Sequence, residues 1–361
     1  MVEAITGLLK ICVEKKASDI HIKTDANPVA RIDGRLETIK EYLFSAAHMD
    51  KIVFSLTNKR QQEQFEKKGE CDMSYSVAGI GRFRGNIYRQ RGVIAVVFRY
   101  VPGDIPEFTM LNLPQAIEKI ASNQRGLVLV TGTTGSGKST TLAAMINHIN
   151  STRGDSIITI EDPIEFVHKD KLSIISQREI GTDTDSFASA LKNVVRQDPD
   201  VILIGEMRDT ETMAAAITAA QTGHLVFSTV HTISAVQTIN RIVDMFPVHH
   251  QNQIRLQLAD TLKGVISQRL LPKISGGRVP AVEILVATEY VKKCIEQNTM
   301  NEILQAMKQG AYYGMQTFDQ ALLNLYNSGM ITIDDALSAA TNPEEVMMNI
   351  RGISSDSGAM V

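Results

Sequence analysis

The chain has 361 residues, which is long for a single hydrophobic core, so two domains are expected. Hydrophobic residues make up 43% and charged residues 21% of the sequence, proportions typical of globular proteins that bury a sizeable core. The formal net charge of -3 provides no long-range attraction for nucleic acid, so we expect no nucleic-acid partner.

Cysteine usage and hydropathy indicate a cytoplasmic protein. The three cysteines, Cys12, Cys71 and Cys294, lie far apart and form no CxxC pair, which argues against a disulfide framework and a structural zinc site. The first residues mix apolar and charged side chains, unlike a secretory signal, and no apolar run approaches the length of a membrane span. We therefore expect no direct membrane insertion, and any membrane association would come through a partner.

The first hundred residues have the pattern of a small α+β module. Helical spacing of apolar residues and alternating strand-like segments succeed one another, and the late strands imply a mostly antiparallel sheet with helices against one face. The predicted helices cover 2–14 and 59–68, and the predicted strands cover 19–23, 29–32, 71–77, 81–89 and 93–100.

Pro102, Gly103 and Pro106 form the strongest linker signal, because proline cannot continue a helix or a central strand and glycine loosens the backbone. We therefore predict a first domain over 1–101, a linker over 102–110 and a second domain over 111–361. The small, polar residues 354–361 are expected to fray.

Beyond the linker, short apolar strands alternate with helical stretches, the signature of a parallel sheet covered on both faces. From about residue 234 onwards the chain is predicted to be mostly helical. The predicted strands are 126–130, 156–160, 201–204 and 225–229, and the predicted helices are 139–150, 186–196, 210–222, 251–270, 290–297, 300–309, 317–328 and 333–341.

A phosphate-binding loop follows the first of these strands, because residues 132–139 match GxxxxGK[ST] between an apolar strand and a helix. The glycines let backbone N–H groups face phosphate oxygens, and the helix N-terminus adds a favourable dipole. Lys138 would reach the β- and γ-phosphates, and the Ser139 hydroxyl would bind Mg²⁺. The expected nucleotide-binding residues are Gly132, Thr133, Thr134, Gly135, Ser136, Gly137, Lys138, Ser139 and Thr140.

Carboxylates follow two of the predicted strands. The apolar run 201–204 leads to Glu206, which would lie beside the phosphate loop and hold Mg²⁺ or its water shell. The run 156–160 leads to Glu161, Asp162 and Glu165, one of which would orient the attacking water. Asp162 is better explained by a structural role, and the residues alone do not choose between Glu161 and Glu165.

His224 and His231 stand at the two ends of the predicted strand 225–229. A metal site is unconvincing, because no cysteine or acidic cluster accompanies them and one strand cannot bring both to a single ion. They fit polar sensors at strand ends, although a lone histidine is more often a satisfied structural residue.

The motifs together resemble the superfamily of secretion and type IV pilus P-loop ATPases (GspE/PilT-like). The sequence carries GTTGSGKST, ITIEDPIEF, ILIGEMRD and a histidine box over 223–231 in the order of that family. Further matches are ASDIHI, RFRGNIYR and VVFRYVP before the linker, and LKGVISQRLL and GMQTFDQALL in the last third. The resemblance implies a PAS-like N-terminal domain joined to a RecA-like ATPase domain, assembled as a homohexamer.

The resemblance also implies roles for matching residues. Glu165 corresponds to the catalytic glutamate that orients water, and Glu206 to the carboxylate at Mg²⁺, partly through water. His224 and His231 fall on the histidine-box positions near the nucleotide. Three arginines of the first domain fall on positions of which some approach the phosphates when the domains close: Arg82, Arg84 and Arg99.

Two features favour the retraction (PilT-like) branch of the superfamily. No CxxC…CxxC insert follows residues 268–271, and the chain starts at the PAS-like module without an extra N-terminal domain. One departure leaves an accessory (PilU-like) paralogue open, since the motif AIRNLIRE is replaced by EYVKKCIE at 289–296. An extension or type II secretion motor and a non-hydrolysing accessory ring are further alternatives.

The implied activity is ATP hydrolysis with Mg²⁺, coupled to pilus retraction and twitching motility. The implied partners are five further copies of the chain, an inner-membrane platform protein (PilC-like) and a possible paralogous motor. The expected location is the cytoplasmic face of the inner membrane.

Overall fold

The computed structural model describes residues 2–101, 103 and 105–352. They belong to two compact units, the first comprising Met1–Asp104 with Glu165–Val167 and the second Ile105–Ile164 with His168–Val361. The division at 104 and 105 falls inside the predicted linker 102–110, of which Pro102 and Asp104 lie outside the described residues. The fraying predicted for 354–361 also concerns residues outside the described part.

The first unit contains a six-stranded antiparallel sheet in the order β3-β2-β1-β6-β5-β4. Its elements are α1 (Val2–Glu14), β1 (Asp19–Lys23), β2 (Val29–Ile32), β3 (Arg35–Thr38), α2 (Ala46–Leu56), α3 (Lys59–Lys68), β4 (Glu70–Val77), β5 (Gly81–Gln90) and β6 (Val93–Val101). The predicted antiparallel sheet is confirmed, whereas β3 and α2 were not foreseen.

Helix α1 shows why the sequence forms this unit. Its apolar residues Ile5, Leu8, Leu9 and Cys12 recur at helical spacing and are fully buried in the core of the unit. The large rings Phe44, Phe83 and Phe98 fill the same core.

The second unit is built on a seven-stranded sheet in the order β13-β12-β7-β11-β10-β8-β9. Every neighbouring pair is parallel except β12 and β13. The strands are β7 (Gly126–Gly132), β8 (Ser156–Glu161), β9 (Ile174–Glu179), β10 (Val201–Ile204), β11 (Leu225–Val230), β12 (Leu262–Pro272) and β13 (Arg278–Val286).

Helices cover both faces of this sheet, as predicted. Leu127 and Leu129 of β7 join one hydrophobic cluster, and Val128 and Val130 join another on the opposite face, so the strand reads as a continuous apolar run. The helices are α4 (Phe108–Leu111), α5 (Ala116–Ala121), α6 (Lys138–Thr152), α7 (Phe187–Val194), α8 (Thr210–Gln221), α9 (Ala235–Asp244), α10 (Val248–Thr261), α11 (Glu289–Gln297), α12 (Met300–Gln309), α13 (Phe318–Asn327), α14 (Ile333–Ala339) and α15 (Pro343–Ile350), with a 3₁₀ turn at Gly310–Tyr313.

The single helix predicted over 251–270 is wrong. Helix α10 ends at Thr261, and strand β12 begins at Leu262 and pairs with β7. Residues of β12 are buried on both faces, so their apolar run lacks the alternation that would have identified a strand. Strands β9 and β13 were also not foreseen.

In the described part of the chain, no helix is both long and apolar enough to cross a membrane. Cys12, Cys71 and Cys294 are buried thiols.

Candidate nucleotide site

The phosphate loop connects β7 to α6 at the carboxyl edge of the parallel sheet. β7 ends at Gly132 and α6 begins at Lys138, with Gly137 at its N-cap in a left-handed conformation, φ 94°. The loop residues Thr133, Thr134 and Gly135 are exposed. The first N–H groups of α6 therefore stand beside a loop that is open to solvent, an arrangement suited to anions.

Gly132 cannot be replaced without disturbing the loop. An ideal Cβ at this position would lie 2.5 Å from the carbonyl oxygen of Gln268 and 2.5 Å from Oγ of Ser136, and its φ is 141°. Gly135 and Gly137 also have positive φ, but a Cβ at either position would have no atom within 4 Å. The sequence therefore needs glycine at 132 for space and at 135 and 137 for backbone conformation.

Lys138, the first residue of α6, is only 9% exposed. Its Nζ donates hydrogen bonds to the carbonyl oxygens of Gly132 at 2.9 Å and Thr133 at 2.8 Å. The ammonium group is thus held inside the loop, where it can meet a phosphate. Ser139 and Thr140 are half-buried in the first turn of α6.

Strand β12 braces the loop from one side, which the motifs did not reveal. Thr131 Oγ1 donates to Ser267 Oγ at 2.9 Å, and buried Gln268 donates from Nε2 to Thr141 Oγ1 at 2.8 Å. Gln268 pairs in register with Gly132. The strand before the loop and the helix after it are therefore fixed to adjacent residues of β12, Ser267 and Gln268 respectively.

Glu206 and His231 are brought together beyond the ends of β10 and β11. The Glu206 carboxylate is mostly buried, and its Oε2 lies 3.3 Å from Nε2 of His231. Its Oε1 lies 2.5 Å from Nη2 of Arg208, an exposed residue that sequence reasoning missed. In this structure both carboxylate oxygens therefore have basic neighbours.

His224 lies at the opposite end of β11 from His231. Its Nδ1 is 2.9 Å from the carbonyl oxygen of Ala219, in the last turn of α8. The six residues of β11 separate the two histidines by about 20 Å at the rise of an extended strand. Within this unit His224 is therefore not beside the phosphate loop, and its nucleotide role stays a prediction.

The acidic segment after β8 is held by β9. Glu161 Oε1 accepts hydrogen bonds from Thr159 Oγ1 at 2.7 Å and Gln177 Nε2 at 3.0 Å. The bond between Asp162 and Pro163 is cis, and buried Glu179 accepts from the backbone N–H of Ile164 at 3.1 Å. Glu179, also missed from the sequence, fixes the path of this segment.

The remaining predicted residues belong to the first unit. Glu165 Oε1 lies 3.4 Å from Nη1 of Arg84, and both side chains are about half exposed. Arg82 Nη1 donates to Ser76 Oγ at 3.4 Å.

Arg99 Nε donates to Asp19 Oδ1 at 2.8 Å. Burial alone would raise the pKa of Asp19, but hydrogen bonds from Ser18 and Arg99 outweigh it and lower the pKa. Arg99 therefore has a structural partner that ties β6 to β1.

His168 follows the acidic segment and is kept neutral by its surroundings. Burial, with a smaller contribution from the charge of Lys171, lowers the pKa of His168 from 6.5 to about 4. Its backbone N–H donates to Gln177 Oε1 at 2.8 Å, and its Nδ1 is shielded from solvent with no hydrogen-bond partner among the described residues.

Comparison with known proteins gives consistent matches. A family model described as type II/IV secretion system protein matches residues 104–276. The type IV pilus retraction ATPase PilT of Pseudomonas aeruginosa is 42% identical over 340 residues, covering 94% of this chain and 99% of that protein. The type IV pilus ATPase PilU of the same organism is 40% identical, covering 95% and 90%. A crystal structure of the pilus retraction motor PilT with bound ADP is 47% identical, covers 94% of this chain and 97% of that chain, and has a TM-score of 0.86.

The substitution Gly132→Ala is expected to lower the free energy of unfolding by about 2–4 kcal/mol, because the new methyl group meets two close atoms in an unfavourable backbone conformation. Gly135→Ala, which has only the backbone strain, should cost about 1–2 kcal/mol. Urea unfolding followed by circular dichroism measures both. Gly154→Ala is the control, since its nearest atom would be 3.7 Å away; equal losses at 132 and 154 would contradict the described contacts.

Acid is expected to destabilise the wild type more than His168→Gln. The unfolded chain takes up a proton near pH 6.5, whereas folded His168 stays neutral until about pH 4. The stability that depends on neutral His168 is therefore present above pH 6.5 and lost as the pH falls to 4, by up to about 3 kcal/mol. Urea unfolding at pH 7, 5.5 and 4 measures this difference, and parallel pH profiles for the two proteins would refute it.

Proposed function

Since the chain belongs to the type II/IV secretion system protein family, alongside proteins that retract type IV pili, we propose that it is an ATP-hydrolysing hexameric motor for pilus retraction. The observation that carries the proposal is the phosphate loop with Lys138 held inside it, at the sheet edge where Glu206 and His231 meet. ATP is the substrate that this edge suits, because its phosphates would meet the loop N–H groups and the Lys138 ammonium.

The residues present fit a magnesium ion. The Ser139 hydroxyl, in the first turn of the helix that follows β7, and the Glu206 carboxylate, just after β10, are hard oxygen donors at the same sheet edge. Strands β7 and β10 are two strand spacings apart, about 10 Å. Ser139 would bind the ion directly and Glu206 partly through water. When bound, Mg²⁺ neutralises charge on the β- and γ-phosphates.

Glu165 is proposed to orient the attacking water. Glu161, the alternative that the residues left open, accepts hydrogen bonds from Thr159 and Gln177, which supports a structural role in joining β8 to β9. For Glu165 the argument is its position as the second glutamate of EDPIE. Arg82, Arg84 and Arg99 are proposed phosphate contacts of the first unit, with Arg99 the weakest candidate because it is bound to Asp19.

Work on the pilus would come from a ring of six copies that turns an inner-membrane platform protein (PilC-like), so that pilin subunits return to the membrane. We propose that the motor acts at the cytoplasmic face of the inner membrane. The similarity to PilU supports a second candidate, an accessory retraction motor that works with a paralogue.

The substitution Glu165→Gln is expected to lower kcat for ATP hydrolysis about 10²–10³-fold while ATP affinity changes less than about twofold, because the neutral amide offers the attacking water one acceptor oxygen instead of two and no negative charge. Steady-state hydrolysis by the purified oligomer measures this, with Glu161→Gln as the matched control that keeps most turnover. Equal activity of Glu165→Gln and wild type would show that Glu165 is misassigned. Binding without turnover in the wild type would favour a non-hydrolysing accessory ring.

Deletion of the gene is expected to leave cells with excess pili and no twitching motility, because a retraction motor removes pilin from the filament. Pilus counts by electron microscopy and twitching on agar measure this, with Lys138→Ala failing to restore motility and wild type restoring it. A deletion strain without pili would instead assign the protein to extension.

A further inference from the structure

A buried carboxylate stands on β13, in register with Ser267 of β12. Glu283 is only 5% exposed, and its Oε1 accepts a hydrogen bond from the backbone N–H of Ala235 at 2.7 Å. The next residue on the strand, Ile284, exchanges backbone hydrogen bonds with Gln316 at 2.8 and 3.1 Å, just before α13. Burial raises the pKa of Glu283, and the Ala235 N–H with the charge of Arg269 offsets only part of that effect. A carboxylate buried in this way needs specific hydrogen-bond partners.

The backbone donor is the first residue of a helix, since Ala235 begins α9. The first N–H groups of a helix have no partner inside it, and the positive end of the helix dipole favours a carboxylate. Glu283 therefore holds the start of α9, while the backbone of its neighbour Ile284 is bonded to Gln316, two residues before α13.

The α9 side leads directly to the candidate nucleotide site. Only residues 231–234 separate the end of β11 from α9, and they include His231, whose Nε2 lies 3.3 Å from Glu206. This short loop has a fixed path, since buried Thr232 and Thr238 share a hydrogen bond of 2.6 Å and Ser234 accepts from the N–H of Gln237. The hydrogen bond from Ala235 to Glu283 anchors the far end of the loop.

The α13 side leads to the carboxy-terminal helices. The Arg269 guanidinium stacks on the ring of Phe318 at 3.8 Å and donates to the carbonyl oxygen of Ala339 at the end of α14. Asp319, the second residue of α13, accepts from the backbone N–H groups of Thr341 at 2.7 Å and Asn342 at 3.1 Å, directly before α15. Helices α13, α14 and α15 are thereby joined to one another next to Glu283.

We infer that Glu283 is a positioning residue for the nucleotide site, which fixes His231 against Glu206 and makes that placement depend on helices α13–α15. The inference rests on the proposed ATPase function for its catalytic consequence. Its structural part, that Glu283 sets the path of residues 231–235, stands on the observed hydrogen bonds alone. A carboxylate that only stabilised the fold would affect melting without acting through His231.

A double-mutant cycle tests the catalytic part on the full chain. Glu283→Ala and His231→Ala are each expected to lower kcat about tenfold, and the double variant should be no slower than the slower single variant, because both changes remove the same contact. Glu283→Gln retains one acceptor oxygen for Ala235 and should lower kcat only about threefold, which keeps the test available if the alanine variant does not fold. Independent effects that multiply in the double variant would overturn the inference.

Amide hydrogen exchange tests the structural part without any turnover. Residues 231–238 are expected to exchange about tenfold faster in Glu283→Gln than in wild type. Ile117→Val is the control, because Ile117 is fully buried on α5 in the other hydrophobic cluster of the sheet. Unchanged exchange over 231–238 would overturn the inference. A wild type without ATP hydrolysis would count against the proposed function, while the exchange result would still decide whether Glu283 holds the loop.

Discussion

The placement of β7 between β11 and β12 is the constraint on which the candidate site depends. Both neighbours run parallel to β7, so the loop after β7 and His231 after β11 emerge at the same edge. On the other side β12 meets Gly132 so closely that a methyl group would not fit. A shift of β7 by one residue would turn every one of its side chains to the opposite face and move the loop away from Ser267 and Gln268.

The polar groups around the site are held in pairs that tie separate elements together. Lys138 is bound by the carbonyl groups of its own loop, and Glu206 is in contact with both Arg208 and His231. Each pair compensates a charge that would otherwise be costly to shield from water. A nucleotide with its metal ion would have to exchange these internal partners for its own oxygen atoms, so binding and rearrangement of this edge are linked.

The spacing of apolar residues along the chain predicted most of the helices and strands of the fold. It predicted α1 and α3, the antiparallel sheet of the first unit and the four strands that lead to the phosphate loop, the acidic groups and His231. It failed at β12, where burial on both faces made a strand look like the continuation of α10. The motifs singled out Lys138, Ser139, Glu206 and His231 as candidates. The sequence also placed His224 and His231 at opposite ends of one strand, and β11 separates them in this way in the structure. Arg208 and Gln268 lie within the matched segments ILIGEMRD and LKGVISQRLL, but those matches gave them no role, and Glu283 lies in neither segment. The contacts of Gln268 and Glu283 exist only after segments distant in sequence have come together.

The support of the phosphate loop has a consequence for the order of folding. The loop is a single short motif, yet Thr131 is joined to Ser267 across a sequence separation of 136 residues, and Thr141 to Gln268 across 127. Contacts of such range form slowly because a long segment must first be closed. During synthesis the ribosome will have released the whole phosphate loop long before β12 exists to brace it. A chain interrupted before residue 262 would therefore contain the entire motif and still lack the strand that holds it in shape.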